Sequence, residues 1–213
     1  MNQTNDKSEN FCVLTTSGSK FFWRSKRLFD LLISILLIPV FLFSIASLLP
    51  LNFFLNRGSL FFIQERMGLN CVKFNAIKFR TMSSNININR KFDDPIEYDR
   101  ITKLGGFMRS TRIDEIPQII NVIKGEMSLI GPRPDNYEHA IVFIDKIEGY
   151  KSRHVIRPGI SGLSQIRLGY AEGLSATRKK SFVDHYYIKN ASFSLDSKIF
   201  LGTLVAIFNR MGV

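Results

Sequence analysis

The feature that most constrains this chain is a run of 26 residues, from Leu31 to Asn56, that contains no charged side chain. A helix needs about 20 apolar residues to cross the hydrocarbon core of a bilayer, so the run is long enough for a span. It is also too long, and continues too far through apolar residues, to favour a secretory signal peptide. The sequence therefore predicts a membrane-embedded segment in the first quarter of the chain.

Pro39 and the distribution of positive charge favour a hairpin over a simple span. Pro39 removes a helix hydrogen bond and leaves the carbonyl of Ile35 without its usual donor, which kinks or breaks the helix. A single span predicts more Lys and Arg on its cytoplasmic side than on the other. Here both flanks are basic: Lys20, Arg24, Lys26 and Arg27 precede the run, and Arg57, Arg66, Lys73, Lys78 and Arg80 follow it. The residues alone leave a single span and a re-entrant helix–break–helix hairpin as alternatives.

The charge balance and the metal-ligating residue types narrow the function classes. The formal net charge of +11 attracts nucleic acid, anionic lipid or phosphorylated substrates. Two cysteines and three histidines show neither metal-ligand spacing nor a disulfide framework. A membrane-tethered nucleic-acid binder and a structural membrane-anchored protein are the alternatives to an enzyme, although the chain carries no recognisable nucleic-acid-binding motif.

A pair of acidic residues at the start of a predicted helix is the best candidate for a reactive site. Asp114 and Glu115 lie just before Pro117, a residue that the first turn of a helix tolerates. Apolar residues then follow with the spacing of one helix face: Ile116, Ile119, Ile120 and Ile123. Lys124 and Gly125 are typical of a helix C-terminus. Because free N–H groups and the helix dipole favour anions, the pair lies where phosphate binding is favoured, although an ordinary acidic first turn is the alternative.

Basic residues near this pair in the sequence favour the functional interpretation. Arg109 lies five residues before Asp114, and its planar guanidinium suits phosphate binding. Arg133 lies between two prolines, which restrict the backbone around it and help to preorganise its side chain. Lys78 and Arg80 alternate along a predicted strand and so share one face. A solvated surface cation is the alternative for each of the four.

The remaining pattern predicts short strands, several helices and one long loop. Strands are expected at residues 60–64 and 72–79 around a turn at 68–70, at 127–130, and at 160–166, the last carrying Gln165. Residues 83–99 are expected to form a loop, and Gly105-Gly106 to break the pattern that follows it. Helices are expected at 135–153 and 178–187, with Asp184 and Tyr187 one turn apart, and an apolar segment at 199–208 is expected to lie along the membrane.

Taken together, these stretches strongly resemble the bacterial sugar transferase family, the monotopic phosphoglycosyl transferases that start glycan assembly on a polyprenol-phosphate carrier. The resemblance covers nearly all of the chain after the first twenty residues, in the family's order. It rests on KRLFDLLIS (26–34), FIQERMG (62–68), KFRTM (78–82), RITKLGGFMR (100–109), IDEIPQIINVIKGEMSLIGPRP (113–134), RPGISGLSQ (157–165) and DHYYIKNASFSLDSKI (184–199).

The resemblance implies a chemistry and a role for each acidic residue. A phosphosugar would pass from a UDP-sugar to polyprenol (undecaprenol) phosphate, with UMP released, through a covalent intermediate on Asp114. Glu115 would be the second catalytic residue and would hold Mg²⁺, which prefers carboxylate and phosphate oxygens. The membrane helix would be re-entrant and broken at Pro39, although Ile38 stands where the family often has Ser.

The resemblance also implies a set of substrate-binding residues, partners and a location. The substrate-binding residues would be Lys78, Arg80, Arg109, Arg133, Gln165, Asp184 and Tyr187. The expected partners are a UDP-sugar, polyprenol phosphate and membrane lipid but no nucleic acid, and a homo-oligomer is left open. The expected location is the cytoplasmic face of the bacterial inner membrane. No residue pattern identifies which sugar is transferred.

The predicted fold is α+β, with three parts in chain order. Residues 1–20 are expected to be a mobile tail and residues 21–56 a re-entrant membrane helix. Residues 57–213 are expected to form a small, mainly helical catalytic domain with short strands and interfacial amphipathic helices.

Overall fold

The computed structural model describes residue 16 and residues 18–56, 58–83, 97–169 and 173–209. Most of the predicted N-terminal tail, 1–20, and most of the predicted 83–99 loop lie outside these residues, and the end of that tail forms the start of α1 at Lys20 with Ser19 as its cap. Within them the fold is α+β and mainly helical, as predicted. Its elements are α1 (Lys20–Leu36), α2 (Ile38–Leu55), β1 (Phe61–Met67), β2 (Lys73–Phe79), α3 (Lys103–Ser110), α4 (Ile119–Lys124), β3 (Ser128–Ile130), α5 (Tyr137–Lys146), β4 (Gly159–Ser161), α6 (Leu163–Leu168), α7 (Gly173–Asn190) and α8 (Phe193–Phe208).

The charge-free run forms two consecutive helices, α1 and α2, separated by Leu37. Pro39 lies in the first turn of α2, where its missing N–H is tolerated. The backbone stays close to helical at Leu37 (φ −83°, ψ −7°), whose N–H donates to the carbonyl of Ile33 at 3.0 Å. Residues Lys20–Leu55 together are long and apolar enough to cross a membrane by length and composition. The interruption near Pro39 is therefore present, whereas a return of the chain to the same membrane face stays a prediction.

Helix α1 packs a polar face against the rest of the protein and leaves an apolar face exposed. Lys26 and Asp30, one turn apart, are both buried. The Nζ of Lys26 lies 2.7 Å from Asp196 of α8. Asp30 accepts hydrogen bonds from the Ser128 hydroxyl at 2.7 Å and the Leu129 N–H at 3.1 Å. The exposed apolar side chains of α1 are Phe21, Leu28, Phe29, Leu32, Ile35 and Leu36.

Strands β1 and β2 form an antiparallel hairpin that contacts both α2 and the segment with the acidic pair. The predicted turn at 68–70 is confirmed, since the chain reverses through a short 3₁₀ segment, Leu69–Cys71. Phe79 points to one side, where it packs with Leu48 of α2 and with α3 in one apolar cluster. Lys78, its neighbour on β2, points to the other side and reaches Glu115.

Two predicted features of the globular part differ from the structure. Helix α3 runs through Gly105-Gly106 without the expected break; Gly105 serves close packing instead, since a Cβ there would lie 1.9 Å from the carbonyl oxygen of Thr81. The predicted strand at 160–166 is only partly present. β4 pairs in parallel with β3 but ends at Ser161, and α6 begins two residues later. A short apolar run does not distinguish a strand from a buried helix by periodicity alone, which explains the second error.

Candidate active site

The acidic pair lies in a tight 3₁₀ segment, Ile113–Gln118, that leads into α4. The predicted α-helix therefore begins later than expected, because Pro117 has no N–H to donate back along the first turn. The helix ends as predicted, with Gly125 left-handed at φ 87°. Asp114 is 7% exposed and Glu115 is 6% exposed, so both carboxylates are buried. Two neighbouring buried carboxylates require cations close by.

The backbone just before the pair adopts a conformation that is uncommon for a residue with a side chain. Arg112 has φ 59° and ψ 13°, and its carbonyl accepts the N–H of Glu115 at 3.1 Å. A non-glycine residue in this region costs about 1–3 kcal/mol and is held there only by its surroundings. This turn directs the carboxylates inward toward the β1–β2 hairpin.

Glu115 is held by two cations from different elements. The Nζ of Lys78 lies 2.8 Å from Oε1. Arg133 donates from one nitrogen to Oε2 at 3.2 Å and from the other to Oε1, which is the bidentate geometry expected of a guanidinium and a carboxylate. Burial alone would raise the pKa of Glu115, but Arg133 and Lys78 outweigh burial and lower that pKa below its ordinary value. Glu115 is therefore ionised at neutral pH.

Asp114 has a different environment, although it is adjacent in sequence. Its Oδ1 atom is buried and has no hydrogen-bond partner among the described residues. Burial raises the pKa of Asp114 above its ordinary value and repulsion from Glu115 adds to this, while Lys78 and Arg133 oppose both. A buried oxygen without a partner is unusual in a folded protein and suggests a reactive or ligand-binding atom. The two carboxylates are thus suited to different roles.

Asn121 fixes the position of the acidic pair relative to β2. It is fully buried; its Oδ1 accepts the N–H of Ile77 at 3.1 Å, and its Nδ2 donates to the carbonyl of Asn75 at 2.7 Å and to Glu126 at 2.6 Å. Because Ile77 precedes Lys78 on β2, these bonds set that lysine opposite the pair. The only signal for this role in the sequence is weak: a polar residue in the middle of an apolar helix.

Arg109 and Arg80 lie on either side of the same region. Arg109 donates from Nε to the hydroxyl of Thr81 at 2.9 Å, and its charge lowers the pKa of Asp114, against the larger effect of burial. The carbonyl of Arg80 accepts a hydrogen bond from Asn56 at 2.8 Å. Within the described residues the Arg80 guanidinium has no hydrogen-bond partner. Of the predicted phosphate-binding residues, the structure brings Lys78, Arg133 and Arg109 to the pair.

The other three predicted substrate-binding residues have no hydrogen bond to the acidic pair in the described part of the chain. Gln165 lies on α6, and its Oε1 is buried without a hydrogen-bond partner there. Asp184 is buried and accepts from Arg153 at 2.9 Å. The hydroxyl of Tyr187 donates to Asp196 at 2.7 Å, so it joins α7 to α8. Their roles toward a substrate stay predictions.

The donor set of the pair is compatible with magnesium. The described residues contain no cluster of three or more metal-ligating side chains. Mg²⁺, however, keeps several waters and is commonly held by one or two carboxylates together with substrate phosphates. Asp114 offers a free oxygen, and Glu115, which accepts three hydrogen bonds, keeps one of its approximately four lone-pair positions. These two residues fit one magnesium ion shared with a diphosphate.

Comparison with known proteins yields a family and a set of relatives. The model of the bacterial sugar transferase family matches residues 21–210. The chain is 39% identical over 193 residues to the UDP-N-acetylgalactosamine-undecaprenyl-phosphate N-acetylgalactosaminephosphotransferase of Aeromonas hydrophila, covering 88% of the chain and 44% of that protein. It is 34% identical over 198 residues to the exopolysaccharide production protein PSS of Rhizobium leguminosarum bv. phaseoli, covering 87% of the chain and 96% of that protein.

A third relative, like the first, is more than twice as long as the stretch that matches this chain. The UDP-glucose:undecaprenyl-phosphate glucose-1-phosphate transferase of Klebsiella pneumoniae is 36% identical over 191 residues, which is 87% of the chain and 40% of that protein. The chain therefore spans less than half the length of the Aeromonas and Klebsiella proteins but nearly all of the Rhizobium one.

Proposed function

The chain belongs to the bacterial sugar transferase family, and from that membership and the geometry of the acidic pair we propose that it transfers a phosphosugar from a UDP-sugar to polyprenol phosphate. The observation that carries the proposal is the contrast within the pair. Asp114 has a free, buried oxygen, whereas Glu115 is held by Lys78 and Arg133. The names of the Aeromonas and Klebsiella relatives, which specify UDP-sugars and undecaprenyl phosphate, support the substrate classes.

In the first step, Oδ1 of Asp114 attacks the phosphorus that carries the sugar. The new bond joins that oxygen to phosphorus, the bond to the bridging oxygen of the diphosphate breaks, and UMP leaves with the electron pair. In the second step, a phosphate oxygen of polyprenol phosphate attacks the same phosphorus and displaces Asp114. The products are polyprenol diphosphate sugar and UMP, and the carboxylate is regenerated.

The cations around the pair stabilise charge in both steps. Arg133 and Lys78 hold Glu115 in place, and in this proposal their positive charges stabilise the transferring phosphate. Arg109 approaches from α3 and suits the leaving phosphate of UMP, a role that Arg80 shares in this proposal. We further propose that Glu115 would hold Mg²⁺, which leaves Oδ1 of Asp114 to react; when bound, the ion would supply neutralisation of the diphosphate charge.

The membrane helices are the proposed entry for the lipid acceptor. An apolar cavity of about 780 Å³ lies where α2 ends and is lined by residues that include Leu49, Phe53 and Leu60. Asn56, at the end of α2, binds the carbonyl of Arg80. We therefore place the first isoprenoid units in this cavity, with the acceptor phosphate directed toward Arg80. We also propose that α1 and α2 form a re-entrant hairpin in the inner membrane, with the site on the cytoplasmic face.

Detection of the covalent intermediate tests the function and the nucleophile together. The purified protein, incubated briefly with a panel of UDP-sugars and Mg²⁺ but no lipid acceptor, should release about one UMP per enzyme. Intact-protein mass measurement should then show the added mass of one sugar phosphate. Asp114→Asn should abolish the adduct, whereas Asp145→Asn, at an exposed aspartate of α5, should retain it.

Two outcomes would contradict the proposal in different ways. Release of UMP only when acceptor is present, with no adduct, would mean that the lipid phosphate attacks directly. An adduct on a residue other than Asp114 would keep the reaction class and replace the nucleophile. Absence of turnover with every UDP-sugar and undecaprenol phosphate would refute the function itself.

A further inference from the structure

Arg153 lies behind the turn that carries Arg133, and we infer that it is a positioning residue that fixes the backbone of Arg133 and so directs its guanidinium onto Glu115. Arg153 was not among the residues predicted from the sequence. It belongs to a 3₁₀ segment, Tyr150–Val155, that precedes β4 and is 2% exposed.

Every nitrogen of the Arg153 guanidinium has an acceptor. One terminal nitrogen donates to the carbonyl of Arg133 at 2.9 Å. Nε donates to Asp184 at 2.9 Å, and the other terminal nitrogen donates to the hydroxyl of Tyr150 at 2.7 Å and to Asp135. A guanidinium is a planar group of fixed geometry, so one orientation serves all of these acceptors at once. The position of the Arg133 carbonyl is thereby tied to α7 and to the 150–155 segment.

The charges around Arg153 balance, which allows the group to stay buried. Asp135 and Asp184 carry two negative charges, and Arg153 and Lys180 carry two positive charges. Lys180 donates to Asp135, which completes the cluster. Buried ions are tolerated when they are paired and hydrogen-bonded, and removing one partner leaves an uncompensated charge. The cluster therefore resists rearrangement and is a firm support for the turn in front of it.

The turn is also held from its other side, so the backbone at Arg133 has little freedom. Arg66 donates to the carbonyl of Pro134 at 3.0 Å, and the N–H of Met67 donates to the carbonyl of Asp135 at 3.1 Å. From this fixed backbone the Arg133 side chain reaches both Glu115 oxygens. A reacting group that is displaced by about 1 Å can lose roughly 100-fold in rate, so support behind Arg133 has a direct effect on the reaction.

Arg153→Lys separates positioning from a general contribution to stability. The substitution keeps the positive charge, so the cluster stays neutral, but a single ammonium group cannot hold Arg133, Asp135 and Asp184 in the same geometry. Asp196→Asn is the matched control, because it disrupts another buried pair, Lys26–Asp196, that makes no contact with the turn. If Arg153→Lys fails to fold, Tyr150→Phe removes one hydrogen bond of Arg153 and leaves every charge in place.

The first measurement does not depend on catalysis. In the protein in detergent micelles, ¹⁵N NMR of the arginine side chains reports the environment of the Arg133 guanidinium, which donates to both oxygens of Glu115. We expect Arg153→Lys to shift the Arg133 guanidinium signals and Asp196→Asn to leave them unchanged. Unchanged Arg133 signals in Arg153→Lys, or in Tyr150→Phe if that variant has to be used, would refute the inference, even if the proposed function proves wrong.

The second measurement rests on the proposed function. We expect Arg153→Lys to lower kcat/KM for UMP release by about 10- to 100-fold, mainly through kcat. In an Arg133→Ala background the same substitution should have little further effect, because both changes act through one side chain. Additive losses in the double variant would mean that Arg153 acts independently of Arg133 and would overturn the inference. A wild-type protein without turnover would refute the function alone, since the Arg133 guanidinium signals still decide the role of Arg153.

Discussion

Substitution of Asn121 gives a quantitative test of how α4, and with it the acidic pair, is held against β2. Asn121→Ala removes three hydrogen bonds, to the Ile77 N–H, the Asn75 carbonyl and Glu126, at a partly buried contact. Water can replace part of what is lost, because Asn75 is exposed and Ile77 and Glu126 are partly exposed. The substitution thus acts on the contact between α4 and β2 and leaves the catalytic groups chemically intact.

The expected loss of stability follows from these three bonds. A hydrogen bond contributes about 0.5–1.5 kcal/mol net, so three contribute about 1.5–4.5 kcal/mol. In a chain of this size, 1 kcal/mol shifts Tm by about 2–4 °C, so a central value of about 3 kcal/mol predicts a fall in Tm of about 6–12 °C. A protein with a free energy of unfolding of about 5–15 kcal/mol would remain folded at low temperature.

A second substitution gives the prediction a pH signature. Asn121→Asp keeps the acceptor for Ile77 but places an oxygen against the carbonyl of Asn75 and the carboxylate of Glu126. Burial and these neighbours should raise the pKa of the new carboxyl in the folded state. Its protonated form is then the stable one, so stability should be retained at acidic pH and lost as pH rises through the folded pKa.

Thermal unfolding in detergent micelles at several pH values checks both variants. Asn190→Ala is the matched control, since Asn190 is exposed and donates only to the preceding turn of α7. A fall in Tm below about 2 °C for Asn121→Ala, or a fall no larger than that of the control, would refute the reasoning. So would an Asn121→Asp variant whose Tm does not improve as the pH is lowered.

Three further predictions concern the site and the membrane segment. Glu115→Gln keeps the shape of the side chain but removes its charge, so turnover should fall sharply and the Mg²⁺ concentration for half-maximal activity should rise. An unchanged metal dependence would mean that Glu115 has a purely structural role. Burial raises the pKa of Asp114, so stability is lost as the pH rises through that pKa. Asp114→Asn should therefore raise Tm at pH 8 above that of the wild type while abolishing UMP release. A Tm equal to or lower than that of the wild type contradicts this. For the hairpin, cysteines at Lys20 and Ser59 in a cysteine-free background should be labelled from the same side of the membrane, and labelling from opposite sides would establish a span.

Much of the fold follows from short-range pattern. The β1–β2 hairpin, its turn and the glycine that ends α4 were predicted, because alternation, a turn signal and a C-terminal Gly act within a few residues. The acidic pair and its cations Lys78 and Arg133 were also identified, the latter because two prolines flank it. The resemblance to a family then added the chemistry, which neither periodicity nor composition specifies.

The rest depends on contacts between residues far apart in the sequence. The interior partners of Arg153 come from two other segments, the turn at 133–135 and α7, and no local pattern indicates that they meet. Asp184 and Tyr187, which the family resemblance suggested as substrate-binding residues, are buried with Arg153 and Asp196. A break in the helix was expected at Gly105, but α3 continues through it. A glycine is needed there because a Cβ would clash with the backbone of Thr81, a contact that only the tertiary structure reveals.

Helix α1 turns its polar face inward and its apolar face outward, and this has a practical consequence for making a soluble form of the protein. Deleting the helix would expose Asp196 and Ser128 without their partners and open the apolar cluster that includes Phe22, so the truncated chain should misfold. A soluble form would instead need polar helix formers in place of the exposed apolar residues of α1, for instance Leu28, Leu32 and their neighbours. Every inward contact of α1 would be kept.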